Sequence, residues 1–104
     1  MIQSNPATSI PIPAEVTAFA AEQGVSAELP AVLAMTERVF PGAAVSVYLE
    51  DDPEIANDWH IIVDVKAKLT VPEATAASDR WCHGLFEVCP APLTCVFRLG
   101  LGIG

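Results

Sequence analysis

The sequence predicts a two-layer α+β sandwich in ααββαβ order, a three-stranded, mainly antiparallel sheet with every helix on one face. Three observations predict it. Two runs between Ala43 and Leu69 alternate with a period of two and are joined by an acidic loop. Apolar residues recur at helical spacing in two segments before them and one after. A further alternating run follows a proline-rich connector near the end of the chain.

In the first run Val45, Val47 and Leu49 alternate with Ala44, Ser46, Tyr48 and Glu50. In the second, Trp59, Ile61, Val63, Val65 and Ala67 alternate with His60, Ile62, Asp64 and Lys66. Side chains of a strand point alternately to its two faces, so one face is a core and the other is mixed. The connecting loop, Asp51-Asp52-Pro53-Glu54-Ile55-Ala56-Asn57-Asp58, is too long for a two-residue hairpin turn.

Residues 1–11 carry Pro6 and Pro11 among small polar residues and read as an extended arm. Pro13 suits a first helical position and Gly24 a C-terminal stop, with Val16, Phe19, Ala20 and Gln23 on one stripe. Ser26 is a candidate N-cap for a second helix, with Glu28 near the positive end of its dipole. Pro30 is tolerated there because it falls in the first turn. Leu29, Val32, Leu33, Thr36 and Phe40 repeat at helical spacing until Pro41-Gly42 ends the segment.

Val71-Pro72-Glu73 opens a third helix whose apolar stripe is Ala74, Ala77, Trp81, Leu85 and Val88, widened by Cys82 and Phe86. Gly84 in its interior costs roughly 1 kcal/mol against Ala, which points to a close approach, with the second helix as the candidate neighbour. Cys89-Pro90-Ala91-Pro92 is a stiff connector. Leu93, Cys95, Phe97 and Leu99 then alternate with Thr94, Val96, Arg98 and Gly100, a third strand whose glycine tail, residues 100–104, is expected to fray. Strand three can dock beside strand one or strand two. The first choice makes every neighbouring pair antiparallel, and order 2-1-3 is the expectation.

At 104 residues, the chain reads as a single domain, residues 1–104. Five Lys/Arg against 13 Asp/Glu give a net charge of −8, which repels phosphate backbones and argues against nucleic acid. No apolar run reaches the roughly 18–20 residues of a membrane span, and the first residues lack the charge and apolar stretch of a signal peptide. A cytoplasmic location with free thiols follows, and a basic protein or a second copy is the expected partner.

The face away from the helices gathers Tyr48, His60, Ile62, Asp64, Val96 and Arg98. Tyr48, His60, Asp64 and Arg98 could supply an acid, a base and an anion clamp. Flat sheet faces, however, neither enclose a substrate nor exclude water, and cross-strand pairs such as Arg98–Glu50 or Asp64–Lys66 explain the charges. Ile62, Val96 and Tyr48 make the face more apolar than solvent requires, which suits a protein interface.

No metal or cofactor is expected. Cys82, His83, Cys89, Cys95 and His60 lack knuckle spacing, and the acidic loop lacks the alternating ligands and central glycine of a calcium loop. Cys82 and His83 point about 100° apart on a helix, which argues against a catalytic pair. Trp59 and Trp81 read as facing core anchors. The function expected is contact with other proteins, as a regulatory or antitoxin-like subunit, with self-association through the open face as one version. The alternative is a small enzyme or ligand-binding domain using His60, Tyr48, Asp64 and Arg98.

Overall fold

The computed structural model describes residues 10–103. Its elements run α1 (Ala14–Gln23), α2 (Glu28–Val39), β1 (Ala44–Asp51), β2 (Trp59–Ala67), α3 (Val71–Val88), a short 3₁₀ turn (Leu93–Val96) and β3 (Phe97–Ile103). The ααββαβ α+β fold is therefore the one the sequence predicts. Most of the expected arm lies outside the described residues, but Ile10 at its end joins the core and Ile12 packs against it.

Strong local signals hold the helices in register. Pro13 precedes α1, and Gly24 ends it at φ 75°, the left-handed conformation that costs glycine nothing. The Val25 amide then bonds back to Ala20 O at 2.8 Å, which buries Val25 at the corner before α2. Ser26 is not the cap of α2; Ala27 holds that place without a side-chain bond. At α3 the stop-and-start signal is a full capping box. Thr70 Oγ1 accepts from the Glu73 amide at 3.2 Å, and Glu73 Oε1 accepts from the Thr70 amide at 2.9 Å.

The sheet order is β1-β2-β3, not 2-1-3. β1 and β2 pair antiparallel, from Ala44 opposite Lys66 to Asp51 opposite Trp59. β2 and β3 pair parallel, from Ile61 opposite Phe97 to Ala67 opposite Ile103. The reason lies in β2. His60, Ile61, Ile62 and Val63 are buried without interruption, so both faces of this strand need cover and it takes the centre. β1 keeps polar Ser46 and Glu50 exposed on one face and suits an edge. With its 18 residues, α3 spans roughly 27 Å at 1.5 Å per residue, enough to carry the chain back for a parallel strand.

β3 also begins later than its alternation suggests. Leu93 N bonds to Pro90 O at 2.8 Å and Cys95 N to Pro92 O at 3.2 Å, winding residues 93–96 into a 3₁₀ turn. A period of three replaces a period of two there, which turns Val96 into the core and leaves Cys95 exposed. Residues 100–103 of the glycine tail lie within the strand, opposite Asp64 to Ala67, rather than beyond it.

The core lies between the helices and the inner sheet face. Ile61, Val63 and Val65 are fully buried, as are Val16, Val32 and Leu33 from the helices. Trp81 sits among them, 2% exposed. Gly84 meets α2 as expected. A Cβ there would lie 2.7 Å from Met35 Sδ, so any larger residue requires the buried Met35 side chain to shift. The stripe of α3 is narrower than its sequence suggests, since Cys82 and Phe86 are exposed flanks rather than core. Trp59, expected as a core anchor, is 44% exposed at the loop end of the hairpin, where it lines a shallow cleft with Ala18 and Phe19 of α1.

Candidate functional site

The outer sheet face holds most of the residues singled out in the sequence. Cross-strand pairing puts Tyr48, Ile62 and Arg98 in one row over β1, β2 and β3. Ser46, Asp64 and Gly100 make the next row. Asp64 Oδ2 accepts from Lys66 Nζ at 2.9 Å, and this bond, with the attraction of the carboxylate, raises the lysine pKa above its ordinary value. Gly100 leaves room for that carboxylate, since a Cβ there would lie 2.9 Å from Asp64 Oδ1. Arg98 stands in the row of Tyr48, one row away from Glu50, which is opposite His60.

His60 is buried, and both of its ring nitrogens are engaged. Nδ1 lies 3.0 Å from the Cys95 carbonyl oxygen and Nε2 lies 3.0 Å from Asp58 Oδ2. The carbonyl can only accept, so Nδ1 carries a hydrogen and donates it. The ring thereby ties the loop side of the hairpin to the 3₁₀ turn. Val96 leaves the group altogether, because it belongs to the core. The face thus keeps Tyr48, Ile62, Asp64 and Arg98 near one another. The His60 nitrogens and the Asp64 carboxylate on it are already bonded within the fold, while Glu50 is exposed at its edge.

The acidic loop is closed by its own backbone. Asp52 N bonds to Asp58 O at 2.9 Å, Glu54 N bonds to Asp52 Oδ1 at 2.8 Å, and Asn57 takes φ 60°. Ile55 stands at the turn, 56% exposed. Among the described residues no three His, Cys, Asp or Glu side chains are grouped to hold a metal ion. The thiols of Cys82, Cys89 and Cys95 are free, and no described helix is long and apolar enough to cross a membrane.

A second candidate site is a concavity that the sequence did not announce. A groove of about 1080 Å³ opens at the end of the sheet away from the acidic loop. Its walls are the end of α2 with the Pro41-Gly42 turn, the start of β1, the residues closing β2, and the first half of α3. Phe40, Ala43, Ala67, Leu69, Ala77 and Ile103 supply apolar surface. Lys66, Lys68 and Arg80 supply charge, which is three of the five cations of the chain in one place. The single carboxylate in the lining, Glu73, is committed to the capping box, where its bonds to Thr70 hold its pKa below the ordinary carboxylate value. Neither Lys68 nor Arg80 is held in an ion pair among the described residues.

The signal for this site was in the sequence, but not as a motif. Lys66 and Lys68 flank the end of one strand, and Arg80 lies nearly three helical turns beyond the Thr70 cap. Only the turn from β2 into α3 brings them together. Comparison with family models, with curated proteins and with solved structures finds no match to this chain.

Proposed function

We propose that this protein acts by binding other proteins, and that the groove between α2, α3 and the sheet end is its binding site. The ligand class that fits is an acidic segment carrying an apolar side chain. One observation carries this reading: an acidic chain of net charge −8 sets Lys68 and Arg80, neither in an ion pair among the described residues, around an apolar groove, with Lys66 at its edge held by Asp64. Charges of one sign around a concave, low-dielectric wall focus the potential and draw the opposite charge inward. The apolar floor supplies the affinity, and the cations set orientation and exclude basic competitors.

This reading keeps the protein-contact role expected from the sequence and moves it from the outer sheet face to the groove. It also reverses the charge of the partner segment. A reducing, cytoplasmic setting is part of the proposal and is supported by the three free thiols. Catalysis on the outer face is disfavoured because His60 and Asp64 are bonded within the fold.

The test is fluorescence anisotropy with a labelled peptide bearing aspartates on both sides of an isoleucine, beside a lysine-bearing counterpart. The acidic peptide is expected to bind and to lose about tenfold or more in affinity to Lys68→Glu/Arg80→Glu, the lysine peptide showing no binding at the groove. Equal affinity of parent and variant for the acidic peptide would overturn the assignment.

A further inference from the structure

The hairpin carries an acidic tip at one end and the cationic groove at the other. At the tip, Ile55 is left 56% exposed in a loop that also carries Asp51, Asp52, Glu54 and Asp58, the last with its carboxylate on His60 Nε2. At the opposite end, Lys68 and Arg80 stand over an apolar floor without ion pairs among the described residues. The chemistry that the groove suits is therefore present on the molecule itself: carboxylates in one loop with a protruding apolar side chain.

The two cannot meet within one chain. β1 has 8 residues, and at about 3.4 Å per residue it holds the tip roughly 24 Å from the groove end. The strands between them are paired along their whole length, so the hairpin is a strut rather than a hinge. The tip is also preformed, closed by the Asp52–Asp58 backbone bond and the Asp52 side chain, so little order remains to be imposed on docking.

We infer that the acidic tip of one copy, with Ile55 as its apolar anchor, docks in the groove of a second copy, joining the chains head to tail. This rests on the groove reading above and names its occupant. The contact is heterologous: each copy offers one tip and one groove, so the assembly is a closed ring or an open string according to the rotation between neighbours. Charge complementarity sets its direction, since tip against tip and groove against groove place like charges together.

Two variants at exposed positions separate the partners. Ile55→Lys removes the anchor and sets a cation among the tip carboxylates while leaving the groove intact. Lys68→Glu/Arg80→Glu does the converse. Sedimentation velocity on the parent is expected to show mass rising with concentration. Association should weaken about tenfold as salt rises from about 0.01 M to about 0.15 M and the Debye length falls from ~30 to ~8 Å. Each variant alone should be monomeric and keep the circular dichroism of the parent. Mixed, they should form a one-to-one dimer and nothing larger, because one working tip meets one working groove. A parent monomeric at millimolar concentration in low salt would overturn the inference, as would Ile55→Lys assembling like the parent. If the parent is monomeric yet the labelled acidic peptide still binds through Lys68 and Arg80, the groove reading survives and its self-docking does not. If neither occurs, both fall.

Discussion

The indole Nε1 of Trp81 donates a 2.8 Å hydrogen bond to Thr36 Oγ1, and that hydroxyl donates at 2.8 Å to the Val32 carbonyl. One threonine thus satisfies the only polar atom of the α3 anchor while clamping α3 to α2. Both residues are buried, Thr36 completely. Replacing Thr36 with valine keeps the volume and strands the indole N–H, which should cost about 1–3 kcal/mol. Thr36→Ser keeps the hydroxyl and should cost less. Urea midpoints for the two variants check this, and a valine variant as stable as the parent would contradict it. Trp81→Ala removes the anchor itself and should cost roughly 3–5 kcal/mol.

Gly84 tests the helix contact from the other side. Alanine is the better helix former by roughly 1 kcal/mol, yet its methyl group would lie 2.7 Å from Met35 Sδ and 2.8 Å from Met35 Cγ. Met35 is 2% exposed and has little room to move. Gly84→Ala should therefore destabilise by about 1–2 kcal/mol, overpacking outweighing propensity. With Met35→Ala in the same chain the two losses should sum to less than their separate values, because each offsets the crowding or the void left by the other. Additive losses in thermal unfolding would show that the helices do not touch there.

The capping box makes a pH prediction. Its bonds to Thr70 lower the Glu73 pKa in the folded chain, so this carboxylate contributes stability that is fully present above its ordinary pKa. That contribution is lost as pH falls through the lowered folded value. Thr70→Ala should cost about 1 kcal/mol at neutral pH. Glu73→Ala removes the carboxylate that the Thr70 amide donates to, and its difference from the parent should shrink as acid protonates Glu73. A difference that stays constant from pH 7 down to pH 3 would mean the carboxylate takes no part in the cap.

The three thiols should divide by reactivity. Burial raises the Cys89 thiol pKa, with the nearby Glu28 carboxylate adding to it, while Cys82 and Cys95 are exposed. Iodoacetamide on the native protein should label Cys82 and Cys95 first and reach Cys89 only on unfolding. Peptide mapping of the labelled sites reads this directly. Rapid labelling of Cys89 would mean that the end of α3 opens in the native state.

The ends of α1 were legible because they rest on a few adjacent residues, Pro13 and Gly24, and Gly84 signalled a close helix neighbour; at α2 the same reasoning failed, since Ala27 and not Ser26 holds the cap. The position of β3 depends on distant choices. Alternation places Phe97, Leu99 and Leu101 on the inner face whichever strand they join, so periodicity alone cannot choose the neighbour. The uninterrupted run from His60 to Val63 did carry that information, as the mark of a central strand. Val96 was misplaced for a local reason, the 3₁₀ turn, whose period of three follows from the bonds to Pro90 and Pro92 carbonyls. The groove was the least legible feature. Lys68 and Arg80 are twelve positions apart in sequence and share no motif; only the turn into α3 gathers them.

The most direct measurement of the central claim is a map of backbone amide chemical shifts during titration with the acidic, isoleucine-bearing peptide. The groove reading predicts that the shifted amides gather at Ala43, Ala44, Lys68, Leu69, Ala76 and Arg80, with Lys68→Glu/Arg80→Glu erasing the pattern. Shifts gathered instead at Ser46, Tyr48, Ile62 and Arg98 would return binding to the outer sheet face and contradict the assignment of the groove.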